Sequence, residues 1–306
     1  MSEHGERLDI HLVRLGYAPS RRAARLLIDQ GLVRVNGYPG RKGAPIAAGD
    51  SVEVATEARA PGIEPNPDLA LEVLFEDDAV LVINKPAPMP CHPLRSGERA
   101  TVMNAVLARF PEAGLAGDQI REGGLVHRLD NGTSGALIIA REPRAFAVLR
   151  EAIRSGVISR RYQALVAGEL RAPLRLDAPI AHHPKNRRKM IALEQHESPD
   201  TYQARPALTI VEPIARAGGF TLVGVTPKTG NRHQIRVHLA AAGYPLAGDA
   251  LYGGPALAPP APQRFWLHLR EVEFDSPASG HIRIEAPFPT DLIESLNLLH
   301  LSWFRK

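Results

Sequence analysis

The sequence predicts an α+β fold, built mainly on an antiparallel sheet and preceded by a small α/β domain, and three observations carry that prediction. Short β-patterned runs recur from about residue 70 onward with helical patterns between them, but not in the regular alternation of a parallel βαβ series. A stretch rich in Pro and Ala without periodicity, Thr56 to Pro67, has the composition of a linker. The 306 residues are 44% hydrophobic and 23% charged, proportions of a globular chain long enough for one large domain and one small one. The expected organisation is a domain over 1–56, a linker over 57–69 and a large domain over 70–306.

In the small domain, Leu8, Leu12 and Leu15 recur at i, i+4 and i+7 and form the stripe of a first helix. Ser20 sits where an N-cap belongs, ahead of a second helix with the stripe Ala24, Leu27 and Ile28, and Gly31 ends it. Arg21 and Arg25 share a face of that helix, with Arg22 beside them. Val33 and Val35 alternate before the turn dipeptide Asn36-Gly37, and Val52 and Val54 alternate after Gly49-Asp50. In the large domain, strands are expected at Leu71 to Phe75 and Val80 to Asn84 around the turn Glu76-Asp77-Asp78. Others are expected at Ala136 to Ala140, Tyr162 to Val166, Phe220 to Val225, Phe265 to Leu269 and His281 to Glu285. Helical spacing falls at Thr101 to Phe110, Pro143 to Ser155, Asn231 to Ala242 and Thr290 to Leu299.

Lys and Arg number 37 against 33 Asp and Glu, a net +4, and the cations cluster. The groups are Arg21, Arg22 and Arg25; Arg34, Arg41 and Lys42; Arg160 and Arg161; and, densest, Lys185, Arg187, Arg188 and Lys189. One such group is ordinarily a solvated face, whereas four indicate a polyanionic partner. The longest apolar runs fall far short of the roughly 18 residues that a bilayer span needs, and Met1 to Ile10 is polar, so no membrane association and a cytoplasmic location are expected. Cys91 is the single cysteine, which excludes an internal disulfide and any multi-cysteine metal site. No His pair with metal-ligand spacing, no Gly-x-Ser-x-Gly elbow around Ser134 and no Gly-rich phosphate loop appears, so neither metal nor cofactor is expected.

Gly123 to Asp130 reads as a short apolar strand interrupted by His127, Arg128 and Asp130, and Asn131 to Gly135 turns it into the next strand. Ionisable groups beside buried strands are costly unless paired or used. On the residues alone, an internal Arg128–Asp130 ion pair explains the pattern as well as a functional turn does.

Residues 7–54 resemble the alpha-L RNA-binding motif, a small module first known from a ribosomal small-subunit protein, through Arg7-Leu8-Asp9, Ser20-Arg21, Ile28, Gly31, Val33, Val35-Asn36-Gly37 and Gly49-Asp50. Residues of about 70–296 resemble the RluA-type pseudouridine synthases. The likeness is carried by His127-Arg128-Leu129-Asp130 with Thr133-Ser134-Gly135, by Asn84-Lys85-Pro86 with His92-Pro93, and by Arg161-Tyr162. Arg188-Lys189-Met190, Thr229-Gly230 with His233 to Leu239, Gly248-Asp249-Ala250-Leu251-Tyr252-Gly253, Leu267-His268-Leu269 and Ala286 to Pro289 follow in the same order.

The resemblance implies an enzyme that isomerises a uridine within RNA, breaking the bond from ribose to base nitrogen and remaking it at carbon 5. It makes Asp130 the catalytic carboxylate, Arg236 its cationic partner and Tyr162 the flat face and hydroxyl near carbon 5. Ile235 is expected to touch the base, Arg128 to hold the flipped-out site open, and His127 and Arg232 to belong to the substrate site. Arg187, Arg188 and Lys189, with Arg21, Arg22 and Arg25, are the expected RNA grip. Ribosomal RNA of the large subunit is the favoured partner, with transfer RNA the alternative, and the enzyme is expected to be a monomer. A rival reading is a catalytically idle RNA-binding assembly factor of the same fold, which gives no reason to keep Asp130, Tyr162 and Arg236 together. The chain departs from the family pattern at Asn231-Arg232, where the arginine is displaced by one place, at Pro88 and at Asn131-Gly132. These departures bear on substrate fit.

Overall fold

The computed structural model describes the chain except for residues 1–5, 19–20, 30, 48, 55–62, 96, 195–196, 258–263 and 302–306, and except for the side chains of Arg22, Ala23 and Leu26. Ser20 as an N-cap, the Arg22 side chain and residues 57–62 of the expected linker therefore lie outside the described residues. The chain divides into two compact units, Met1–Gly62 and Ile63–Lys306.

The small unit runs β1 (Glu6–Arg7), α1 (Leu8–Arg14), α2 (Arg21–Asp29), β2 (Val33–Val35), β3 (Tyr38–Pro39), β4 (Pro45–Ile46) and β5 (Val52–Val54). Leu8, Leu12, Ala24, Ile28, Val33 and Ile46 close its core. Leu15, expected in the first helical stripe, is the C-cap and is exposed, because α1 ends at Arg14 before the stripe returns to the core. Gly31 takes a left-handed φ of +71° just past α2, the conformation a C′ glycine supplies without strain. Asn36 and Gly37 both have positive φ, and Val35 pairs with Tyr38 across them, as a type I′ hairpin requires.

The large unit follows with β6 (Val73–Glu76), β7 (Val80–Lys85), α3 (Val102–Arg109), a 3-10 turn (Pro111–Leu115), β8 (Ser134–Ala140), α4 (Pro143–Arg154), β9 (Ser159–Ala167) and β10 (Leu174–Leu176). Then come β11 (Ile180–His182), β12 (Met190–Ala192), α5 (Pro199–Tyr202), β13 (Thr209–Ala217), β14 (Phe220–Pro227), α6 (Gln234–Ala241), β15 (Leu267–Ser276), β16 (Gly280–Glu285) and α7 (Thr290–Leu298). Its main sheet has the order β10-β13-β14-β9-β15-β8-β7-β6, with β16 also paired to β15. All these pairs are antiparallel except β15 with β8, so the sheet is mixed and mainly antiparallel, an α+β architecture. Every residue of β8 is buried, which accounts for its unbroken apolar run. At its start Gly135 has φ +116°, and a Cβ there would lie 2.2 Å from the Leu269 carbonyl oxygen, so only glycine lets β8 and β15 meet.

Four differences from the sequence reading have physical causes. Gly123 to Asp130 is not a strand but an arm laid on the edge of β8, where Val126 N–H donates to Ile138 O and Ala140 N–H to Gly124 O. β15 pairs with β8 only at Ser134 and Gly135, so the rest of that edge is open to the arm. β13 has no clear strand pattern in the sequence because Pro213 and a register shift before Ala215 break its alternation. The helix expected from Asn231 begins at Gln234, because His233 sits in the left-handed region at φ 54° and cannot continue it backwards. Residues 63–69 lie against the large unit: Ile63 is buried in its core, and Asn66 N–H donates to Asn104 O.

Candidate active site

Asp130 ends the arm, with its carboxylate partly exposed, at 26%. Arg236 comes from the first turn of α6, buried on nearly every side, and donates from Nη1 to Asp130 Oδ2 at 3.0 Å. Its other edge is taken by Asp249, in the loop after α6, with Nε to Oδ2 at 2.7 Å and Nη2 to Oδ1 at 2.9 Å. The fork bond leaves Arg236 one direction for Asp130. The guanidinium also lies over the ring of Phe265, 4.2 Å from its centroid, and near that of Tyr252, at 5.1 Å. Burial opposes its charge, but Asp249 and Asp130 outweigh burial and raise its pKa. One buried cation thus serves two carboxylates, and the one open to solvent is Asp130.

The chain on both sides of Asp130 is held from several directions. Cys91 Sγ accepts from Leu129 N–H at 3.4 Å and donates to Leu129 O at 3.3 Å. Burial raises the thiol's pKa, so it keeps the proton it donates. Cys91 is thus a clasp on the residue before Asp130. Lys85 is fully buried, and its Nζ donates to the carbonyls of Pro86, Met89 and Asn131; burial brings its pKa down to about 8. Arg264 donates from Nη1 to Gly132 O at 3.1 Å and is itself forked onto Asp291 of α7. Gly132 stands against Phe265, where a Cβ would come within 2.8 Å of the ring.

Tyr162 is buried on β9, and burial raises its pKa, with Asp130 and Cys91 adding to the shift. Ile235 is buried in the main core beside Arg236. Arg128 is exposed and pairs with Glu122 at 3.1 Å, so the internal Arg128–Asp130 ion pair does not form. His127 is buried, its Nε2 accepting from Ile138 N–H at 3.2 Å while its Nδ1 has no partner among the described residues; burial lowers its pKa to about 3. Arg232 lies ahead of α6, not on its face with Arg236. It is exposed and donates to Arg187 O at 3.4 Å. His233 puts Nε2 3.9 Å from Asp130 Oδ2, and burial lowers its pKa to about 4.

Arg187, Arg188 and Lys189, with Lys185, form the tip of the β11–β12 hairpin, and none has a carboxylate partner among the described residues. The pair Arg160 and Arg161 divides: Arg160 is buried and donates to Thr229 O, while Arg161 is paired with Glu271 and Glu273. In the small unit Arg7, Arg25 and Arg21 converge on the buried Asp9 at 2.9, 3.0 and 3.4 Å. Burial works to raise the Asp9 pKa, and hydrogen bonds from Arg7 and Arg25 override it and bring it to about 2. The three guanidiniums are thereby oriented with a surplus of positive charge and remain partly exposed.

This constellation of a carboxylate on a turn, a buried arginine and a strand tyrosine lies within residues 79–241, which match the family model described as RNA pseudouridylate synthase, and residues 6–51 match the S4 domain. The chain belongs to the RNA pseudouridine synthase family, and it is a pseudouridine synthase of RluA type with an N-terminal S4 domain. It is 32% identical to the ribosomal large subunit pseudouridine synthase D of Pseudomonas aeruginosa, over 96% of this chain and 92% of that protein. It is 35% identical to an uncharacterized RNA pseudouridine synthase of Mycobacterium bovis, over 96% and 94%. Among solved structures, human RNA pseudouridylate synthase domain containing 4 shares the fold, with a TM-score of 0.57 at 22% identity over 75% of this chain and 93% of that one.

Asp249, Tyr252, Phe265, Arg264 and Lys85 have no role in the sequence reading. The signal for Asp249 and Tyr252 was present as the block Gly248 to Gly253, but a Gly-Asp step reads as a turn until its carboxylate is seen beneath Arg236.

Proposed function

We propose that the enzyme isomerises specific uridines of structured RNA, foremost in large-subunit ribosomal RNA, with Asp130 as the catalytic carboxylate and Arg236 and Tyr162 completing the catalytic set. The observation that carries this reading is the hydrogen bond from the buried Arg236 to the accessible Asp130, which fixes the carboxylate in reach of solvent at the end of a braced turn. The target uridine is extruded from its stack at a cost of a few kcal/mol, met by phosphate contacts elsewhere. The bond from C1′ to N1 breaks with its electron pair passing to the base, the uracil turns, and C1′ bonds to C5. The C5 proton is then lost and N1 gains one, so nothing else enters or leaves. Attack on C1′ and removal of the C2′ proton both start from an ionised Asp130.

In this reading the Tyr162 ring is a platform for the uracil, with its hydroxyl, protonated at neutral pH, near C5. Ile235 makes the apolar floor beside Arg236. Arg128, exposed on the arm and able to exchange Glu122 for RNA, holds the gap left by the extruded base, and Arg232 meets the strand beside the hairpin. His127 serves from behind, fixing the arm to β8. Arg21, Arg22 and Arg25 of the small unit and Arg187, Arg188 and Lys189 of the large unit meet phosphates, which position RNA without reading its sequence. The large-subunit substrate follows relatives that bear that name, and it implies a cytoplasmic place of work.

The test uses unmodified large-subunit ribosomal RNA and unmodified transfer RNA, each tritiated at uridine carbon 5. Tritium release from the ribosomal transcript is expected. Release from transfer RNA alone would move the substrate, and release from neither would overturn the reading.

A further inference from the structure

The hairpin β11–β12 lies outside the main sheet, yet two sets of contacts tie it to the catalytic arginine's helix. One is apolar: Ile180 and Met190 of the hairpin form a small buried cluster with Ala207 and with Val237, the residue after Arg236, and Tyr252 packs against it. The other is polar and centres on Tyr252. Its hydroxyl accepts from Met190 N–H, where the tip loop rejoins the hairpin, at 2.8 Å, and lies 2.9 Å from His233 Nδ1.

The proton placement in that chain can be argued. Nε2 of the neutral His233 faces the Asp130 carboxylate, so it carries the hydrogen; Nδ1 is then the acceptor, and the Tyr252 O–H donates to it. The ring of the same tyrosine meets the Arg236 guanidinium at 5.1 Å. Tyr252 therefore touches the hairpin, the arginine and the histidine that flank Asp130, while Arg232 holds the backbone of the hairpin tip at Arg187 O.

We propose that Tyr252 is a positioning residue that couples the seating of RNA phosphates on the Lys185–Lys189 tip to the placement of Arg236 and His233 about Asp130. This rests on the reading of the tip as an RNA grip. A phosphate bound by Arg187, Arg188 and Lys189 fixes the hairpin, the Met190 amide fixes the Tyr252 hydroxyl, and the tyrosine fixes the two side chains that address the carboxylate. RNA that reaches the site without engaging the tip is bound but turned over slowly, which makes the hairpin a determinant of substrate choice.

The experiment measures single-turnover rate at saturating RNA, and the RNA concentration giving half that rate, in the full chain on whichever unmodified transcript, ribosomal or transfer, the wild type turns over. Four proteins are compared: wild type, Tyr252→Phe, the triple Arg187→Ala/Arg188→Ala/Lys189→Ala, and their combination. Tyr252→Phe keeps the ring under Arg236 and loses only the hydroxyl. It should lower the saturating rate about tenfold with the half-saturating concentration within twofold of wild type. The triple variant should raise that concentration several-fold and also lower the saturating rate. Combined, the two should show the triple's affinity with the Tyr252→Phe rate and no further loss. Losses in saturating rate that multiply would overturn the coupling and leave the grip standing. A triple variant with unaltered half-saturating concentration would overturn the grip itself, and the coupling with it.

Discussion

Arg236 is shared between two carboxylates, and that sharing defines what each residue around it does. Asp249 is 1% exposed and takes the fork face of the guanidinium, so it sets the direction of the remaining N–H toward Asp130. Asp249→Asn keeps the shape and removes the charge from one side of a buried pair. Its expected cost is about 3 kcal/mol of stability and at least tenfold in turnover, with RNA affinity unchanged; chemical unfolding and tritium release measure the two. His127 and His268 are buried neutral, each with its pKa lowered by burial to about 3. Between about pH 6.5 and 3 the unfolded chain binds a proton at each that the native protein does not, so each makes stability fall as the pH drops through that window. His127→Gln, whose amide oxygen can still accept from Ile138 N–H, should reduce the slope of unfolding free energy against pH near pH 5 by about 1.4 kcal/mol per unit. An unchanged slope would mean that His127 is protonated in the native state. Asp130, Tyr162 and Arg236 could be proposed from the sequence because each stands in a short motif that carries the resemblance. The parts played by Asp249 and Lys85 could not, because their partners are set by tertiary packing, although both stand in motif blocks.

At the level of elements, strands and helices with one clean period were legible to within a few residues, as β7, β8, α3, α4 and α7 show. The elements that build the site were read less well, since function interrupts their pattern. The arm before Asp130 alternates like a strand yet lies on an edge that β15 leaves open, and α6 starts late because His233 adopts a left-handed backbone to face Asp130. The β11–β12 hairpin hides in a basic segment whose cations mask its short alternation. Gly132 joins the turn after Asp130 to Phe265, over which Arg236 lies. Gly132→Ala would place a methyl carbon 2.8 Å from that ring and displace it. The expected result is a loss of about 1–2 kcal/mol in stability, as overpacking gives, and a larger fall in turnover than in RNA binding. Equal, small effects on both would show that Phe265 can move without disturbing Arg236.

For the whole molecule, the division of labour between a small arginine-bearing unit and a large catalytic one was legible in composition and motif, while the boundary was not. Ile63 belongs to the large unit's core although its neighbours have the composition of a linker. A chain beginning at Ile63 should bind RNA more weakly and with a shallower dependence on salt, because Arg7, Arg21 and Arg25 no longer displace counterions, while turnover on a minimal stem-loop falls less. An unchanged salt slope would remove the small unit from the RNA grip.

The most direct test of the central claim compares wild type with Asp130→Asn in the release of tritium from carbon 5 of uridine in unmodified RNA, alongside RNA affinity and unfolding. The account predicts release by wild type alone, with RNA affinity within a few fold and the variant folded. Turnover by folded Asp130→Asn at a rate near that of wild type would contradict it.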